Sequence, residues 1–158
     1  MSISHDEIVH VKPLRLIKPS SPNMSQVENY FKISQEKSWF SNFGPCYEIL
    51  QNRISQIFGG KSVLIVSNAT QALELVLKNN RRKNFDDLIQ KYVVAPAYTF
   101  AATATAIHSA GYLPLYVDVD LDDWHASTEE LETLLQIHSE EIACLLLCST
   151  FGLSLIHI

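Results

Sequence analysis

The residues best placed to do chemistry lie in SNATQALELVL, which begins at Ser67. Small polar residues stand there directly before Leu73, Val76 and Leu77, an apolar stripe at helical spacing. The first N–H groups of a helix have no partner inside it, and the helix dipole favours an anion beside them. Ala69 and Thr70 would occupy that first turn, where a threonine hydroxyl adds one more donor for a phosphate oxygen. Ser67 or Asn68 acting as a plain helix cap accounts for the same residues without a ligand. Neither GxxxxGK[ST] nor GxGxxG occurs, so the phosphate loops with those signatures are excluded.

A second candidate is APAYTFAAT, where Tyr98 and Phe100 follow a strand that Pro96 ends. An aromatic side chain there can stack on a flat cofactor ring or pack in a core. Asp118 and Asp120 leave a third strand two residues apart, a spacing typical of turn-formers. His108 reads as a packing residue on an alanine-rich helix, and the six histidines are scattered. Cys144 and Cys148 read as small buried apolar residues of a strand, since no histidine lies at metal-ligand spacing beside them. No nucleophile–base pair stands out. The residues alone imply an α/β domain that holds an anionic small molecule.

These groups need a scaffold, and the hydrophobic pattern supplies one. Residues 1 to 20 read as an extended lead-in. Ser25 with Glu28 offers a capping box for a helix carrying Val27, Phe31 and Ile33, which fades near Trp39. SNFGP is a loop, and a second helix with Leu50, Ile54, Ile57 and Phe58 stops at Gly59-Gly60. Beyond Lys61 the runs VLIV, YVVAP, LPLYVDV and IACLLLCS read as four strands. Helices over Ala69 to Leu77, Phe100 to Ser109 and LETLLQI alternate with them, the last behind a Ser127/Glu130 capping box. That alternation predicts a mostly parallel sheet with helices on both faces, whose ligands sit beyond the carboxyl ends of the strands.

Composition narrows the function. The 158 residues are 47% hydrophobic and 18% charged, ordinary for a globular protein. A net charge of −5 argues against nucleic acid as a partner, because neutralising phosphates needs a basic face. No run reaches the roughly 18 apolar residues of a membrane span. Three cysteines form no disulfide framework, and a cytoplasmic location is expected.

Taken in order, SNFGP, SNATQALELVL, VVAPAYTFAATATAIHSAG, LPLYVDVD and STFG resemble the first half of the DegT/StrS sugar aminotransferase family. The resemblance runs from about Ser41 to Gly152. It implies the N-terminal part of the large domain of an aspartate-aminotransferase-like (fold type I) enzyme. Residues 1–40 would be a lead-in and helix, 41–152 a partial cofactor-binding domain, and 153–158 a truncated or foreign tail. By the resemblance, Ala69 and Thr70 hold the phosphate of pyridoxal 5'-phosphate, and Phe100 stacks on its ring. Asn42, Phe43 and Gly44 would serve the substrate or a neighbouring subunit's site in a homodimer. The implied reaction takes an amino group, usually from glutamate, to a nucleotide-linked keto-sugar.

Several positions depart from the family's usual text. Ala69 stands where a glycine is usual, which keeps a small residue and a backbone N–H. Thr105 stands for an asparagine, and CSTFG for a Val-His-x-Tyr-Gly segment. The Schiff-base lysine and the aspartate that pairs with the ring nitrogen are expected downstream of Gly152, so this chain is expected to contain no catalytic residue and to be inactive alone. A same-fold sugar dehydratase, a regulatory member without the lysine, and a non-catalytic α/β binding module are the alternatives.

Overall fold

The computed structural model describes residues 18–83 and 90–152. Most of the lead-in, half of the polar connection after Lys83 and the tail from Leu153 lie outside them. The chain divides into two units, Met1–Ile65 and Val66–Ile158.

The first unit holds α1 (Met24–Glu36) and α2 (Pro45–Ile57). The expected Ser25/Glu28 box does not form. Asn23, at least as good a cap, accepts from the Ser25 N–H (3.0 Å) and hydroxyl (2.7 Å), and Glu28 pairs with Lys32 instead (2.8 Å). The Trp39 N–H returns to the Ser34 carbonyl (3.0 Å) just past α1. Pro45 opens α2, where its missing N–H costs nothing. Gly59 and Gly60 end it with φ of +66° and +79°.

Residues 61–66 depart from the expected first strand. They pair with no strand among the described residues. Two of their carbonyls are taken by α2: Val63 accepts from Gln51 Nε2 (2.6 Å), and Lys61 from Ser55 Oγ (2.7 Å).

The second unit is built on β1 (Tyr92–Pro96), β2 (Leu113–Val117) and β3 (Ile142–Leu145), parallel and in the order β2-β1-β3. The central strand is buried on both faces: Val93, Val94 and Ala95 have no exposure. Alternation then divides the core. Val93 and Ala95 face Leu77 of α3 (Ala69–Lys83) and Ala106 and Ile107 of α4 (Ala101–Ser109). Val94, with Val117 and Ile142, faces Leu131, Leu134 and Leu135 of α5 (Thr128–His138). Helices therefore cover both faces, as the pattern predicts. The β1/β3 register slips at Ala143, where Tyr92 opposes Ile142 and Val93 opposes Cys144.

Candidate functional site

Two helix starts come to one end of the second unit. Near the end of α3, Arg81 donates to the Ala110 carbonyl (3.4 Å) and to that of Gly111, just past α4. Leu77 packs against Ala106 and Ile107 along the way. The two helices therefore lie side by side and run the same way, so Ala69-Thr70 and Phe100 share an end. Phe100 follows β1 directly, which makes this the carboxyl end of the sheet.

Asn68 caps α3 through Oδ1, which accepts from the Gln71 N–H (2.9 Å), while its carbonyl accepts from Ala72 (3.2 Å). The N–H groups of Ala69 and Thr70 find no acceptor among the described residues, the usual state of a first turn. Asn68 is thus the cap, and two N–H groups without an acceptor among the described residues stand beside it. Phe100 precedes α4 with extended backbone (φ −67°, ψ 140°), and its ring is 80% exposed, so it belongs to no core. Behind it, the hydroxyls of Thr99 and buried Thr103 meet at 2.9 Å. Free donors and an exposed flat ring at one end fit an anion with an aromatic body. Thr105 donates to the Ala101 carbonyl (3.0 Å), a bond internal to α4.

Sequence reasoning missed a third feature of this end. Tyr98, Trp124 and Phe151, one beyond each strand, form a chain of edge-on rings with centroids 5.6 Å apart at each step. Trp124 and Phe151 sit at φ of +62° and +54°, a left-handed backbone that costs a bulky residue energy. The available signal was an aromatic past every strand end.

Asp118 and Asp120 are turn-formers, as their spacing suggests. Asp118 Oδ1 accepts from Val119 (2.8 Å) and Asp120 Oδ1 from Asp122 (2.8 Å). The Ser127/Glu130 box is half-formed: Ser127 Oγ accepts from the Glu130 N–H (3.4 Å), but the Glu130 carboxylate reaches the Asp118 N–H instead (2.7 Å). His108 is exposed in the last turn of α4 rather than packed. Partial burial pushes the Cys144 thiol up, and no cluster of metal-binding side chains occurs among the described residues.

The opposite, amino end of the sheet carries the main charge network. Glu141 bridges Lys91 (2.6 Å) and His138 Nδ1 (2.8 Å). The hydrogen bonds from Lys91 and then His138 lower the Glu141 carboxyl below its ordinary value, and Glu141 raises Lys91. This cluster is far along the strands from the free amides and belongs to the scaffold.

In the first unit, SNFGP forms a tight turn closed by the Gly44 N–H on the Ser41 carbonyl (3.0 Å). A Cβ on Gly44 would lie 2.9 Å from that oxygen and 3.2 Å from the Trp39 carbonyl, so only glycine fits. Phe43, at φ +58°, sets its ring edge-on to Tyr47 (5.0 Å) and stays largely exposed beside Asn42.

The pattern of the DegT/DnrJ/EryC1/StrS aminotransferase family matches residues 24–152. The chain belongs to that family. Among its relatives, the protein MT3510 of Mycobacterium tuberculosis is 25% identical over 90% of this chain and 34% of its own length. The dTDP-4-amino-4,6-dideoxy-D-glucose transaminase of Escherichia coli is 26% identical over 84% of this chain and 36% of its own. A crystal structure of a PLP-dependent aminotransferase from Bacillus cereus superposes with a TM-score of 0.74 at 26% identity, over 85% of this chain and 36% of that one. The chain thus spans about a third of the length of the curated relatives it matches. Pyridoxal phosphate is the cofactor of DegT/DnrJ/EryC1/StrS aminotransferases, and the sheet and helices here are the corresponding part of their fold.

Proposed function

We propose that this chain supplies the cofactor-phosphate end of a transaminase acting on nucleotide-linked keto-sugars. The observation that carries the reading is the pair of helix starts at one end: free N–H groups at Ala69 and Thr70, and the exposed Phe100 ring. Family membership supplies the ligand, and the E. coli relative supplies the substrate class. Bound pyridoxal phosphate provides the electron sink that lets an amino group leave one carbon and join another. The chain's own work is to bind and orient. Ala69 and Thr70 hold the phosphate, and Phe100 covers one ring face. Glutamate gives up its amino group and becomes 2-oxoglutarate, while the sugar's keto carbon becomes an amine. Asn42, Phe43 and Gly44 form a substrate contact or serve a second subunit's site, the enzyme acting as a cytoplasmic homodimer.

The test uses the product of the full reading frame that encodes these residues. Incubation with pyridoxal phosphate, glutamate and a nucleotide-linked 4-keto-sugar should yield 2-oxoglutarate and an aminated sugar in equal amounts. A sugar product lacking nitrogen and one hydroxyl would replace this reading with a dehydratase. No cofactor binding at all would leave a non-catalytic module.

A further inference from the structure

The SNAT turn is closed by a side-chain lock centred on Gln71. Gln71 Oε1 accepts from the Ser67 N–H (3.1 Å) and from the Ser67 hydroxyl (3.0 Å). Its own N–H donates to Asn68 Oδ1 (2.9 Å), and Asn68 Nδ2 donates to Ser67 Oγ (3.2 Å). Residues 67, 68 and 71 are thereby closed into one hydrogen-bonded ring. Ala69 and Thr70 are the two residues between its members.

We propose that Gln71 is a positioning residue for the cofactor phosphate, acting through Ser67 to hold the Ala69 and Thr70 N–H groups in place before the ligand arrives. The inference rests on the cofactor reading above. Its logic is preorganisation: a turn already fixed loses less freedom when an anion binds, so more of the interaction appears as affinity. The choice of side chain matters. A carboxamide oxygen accepts two donors without net charge. A carboxylate could make the same two bonds but would set a negative charge beside a phosphate. Ser67 and Gln71 are exposed, so water competes and the gain is moderate.

The experiment uses the full reading-frame product and the variants Gln71→Ala, Gln71→Glu, Ser67→Ala and the Ser67/Gln71 double alanine. Dissociation constants for pyridoxal phosphate and for unphosphorylated pyridoxal are measured, with amide hydrogen exchange over residues 62–73 of the cofactor-free protein. Gln71→Ala should weaken pyridoxal phosphate by about three- to ten-fold, leave pyridoxal unchanged and speed exchange in the turn. The double variant should lose less than the sum of the two single variants, because the bond from the Ser67 hydroxyl to Gln71 Oε1 is common to both. Gln71→Glu should keep exchange slow yet still weaken pyridoxal phosphate, which separates the clamp from the charge. Unaltered exchange in Gln71→Ala, or losses that add in the double variant, would overturn the proposal. A wild-type protein that binds no pyridoxal phosphate fails the cofactor reading, whereas normal wild-type binding with an indifferent Gln71→Ala fails this inference alone.

Discussion

Thr70 and Phe100 carry the sharpest predictions at the scale of the residue. In the proposed site, Thr70→Ala in the full-length product would remove a hydroxyl donor to a charged phosphate, a bond worth about 1.5–3 kcal/mol. Pyridoxal phosphate affinity should therefore fall by about ten- to a hundred-fold in a direct titration. Phe100→Ala should weaken binding while leaving the melting temperature unchanged, because a ring 80% exposed supports no core. Unchanged affinity in both variants would remove these residues from the site. The helix start at Thr70 was legible from small polar residues ahead of a helical stripe, and that of Phe100 from its place between a strand and an alanine-rich helix, although the strand expected before Ser67 did not form. Trp124 and Phe151 were not legible: no local pattern announces a left-handed backbone at a bulky aromatic. Gln71 was hidden for another reason, since a clamp on Ser67 exists only once the turn has closed.

Among the elements, α4 and the central strand decide the stability of the second unit. Ile107 has no exposure and faces Val93, Ala95 and Leu77. Ile107→Ala should cost about 2–5 kcal/mol, read as a lower denaturation midpoint. The network at the amino end gives an acid-side signature. Glu141 is lowered from its ordinary 4.5, so its pairing stabilises the fold above that pH and is lost as pH falls through the lower folded value. Lys91 is raised from 10.5, so the same contact is complete below that pH and lost as pH climbs past the higher folded value. Glu141→Gln should therefore melt earlier than wild type near neutrality, and the gap should close on acidification below 4.5. A gap that stays constant with pH would show that the carboxylate's charge contributes nothing; solvent exposure keeps the effect small in any case. Element types followed from periodicity, yet residues 61–66 did not form a strand. Their apolar pattern suggested a buried strand, but pairing is a tertiary property, and α2 side chains hold two of the carbonyls. The cap of α1 was misplaced because Asn23 and Ser25 are both good caps, and sequence alone does not show which side chain reaches.

For the whole molecule, β2 and β3 each have one ladder neighbour among the described residues, and Leu145 and Leu147 are partly exposed along the β3 side. Unpaired apolar edges recruit other strands. The 158-residue chain expressed alone should therefore self-associate, eluting above its monomer mass with concentration-dependent light scattering; a monodisperse monomer would contradict this. The parallel sheet and its two helical layers were the most legible feature, because a strand buried on both faces must be apolar throughout, as YVVAP is. The division at Ile65 was not legible, since no glycine- or proline-rich linker marks it. That division has a spectroscopic consequence. The chain has two tryptophans, and the boundary leaves Trp39 in one unit and Trp124 in the other. Each unit thus carries one tryptophan, one beside the SNFGP turn and one inside the ring chain at the sheet's carboxyl end. Trp39→Phe and Trp124→Phe variants would each report the unfolding of one unit by its own emission, with no label attached.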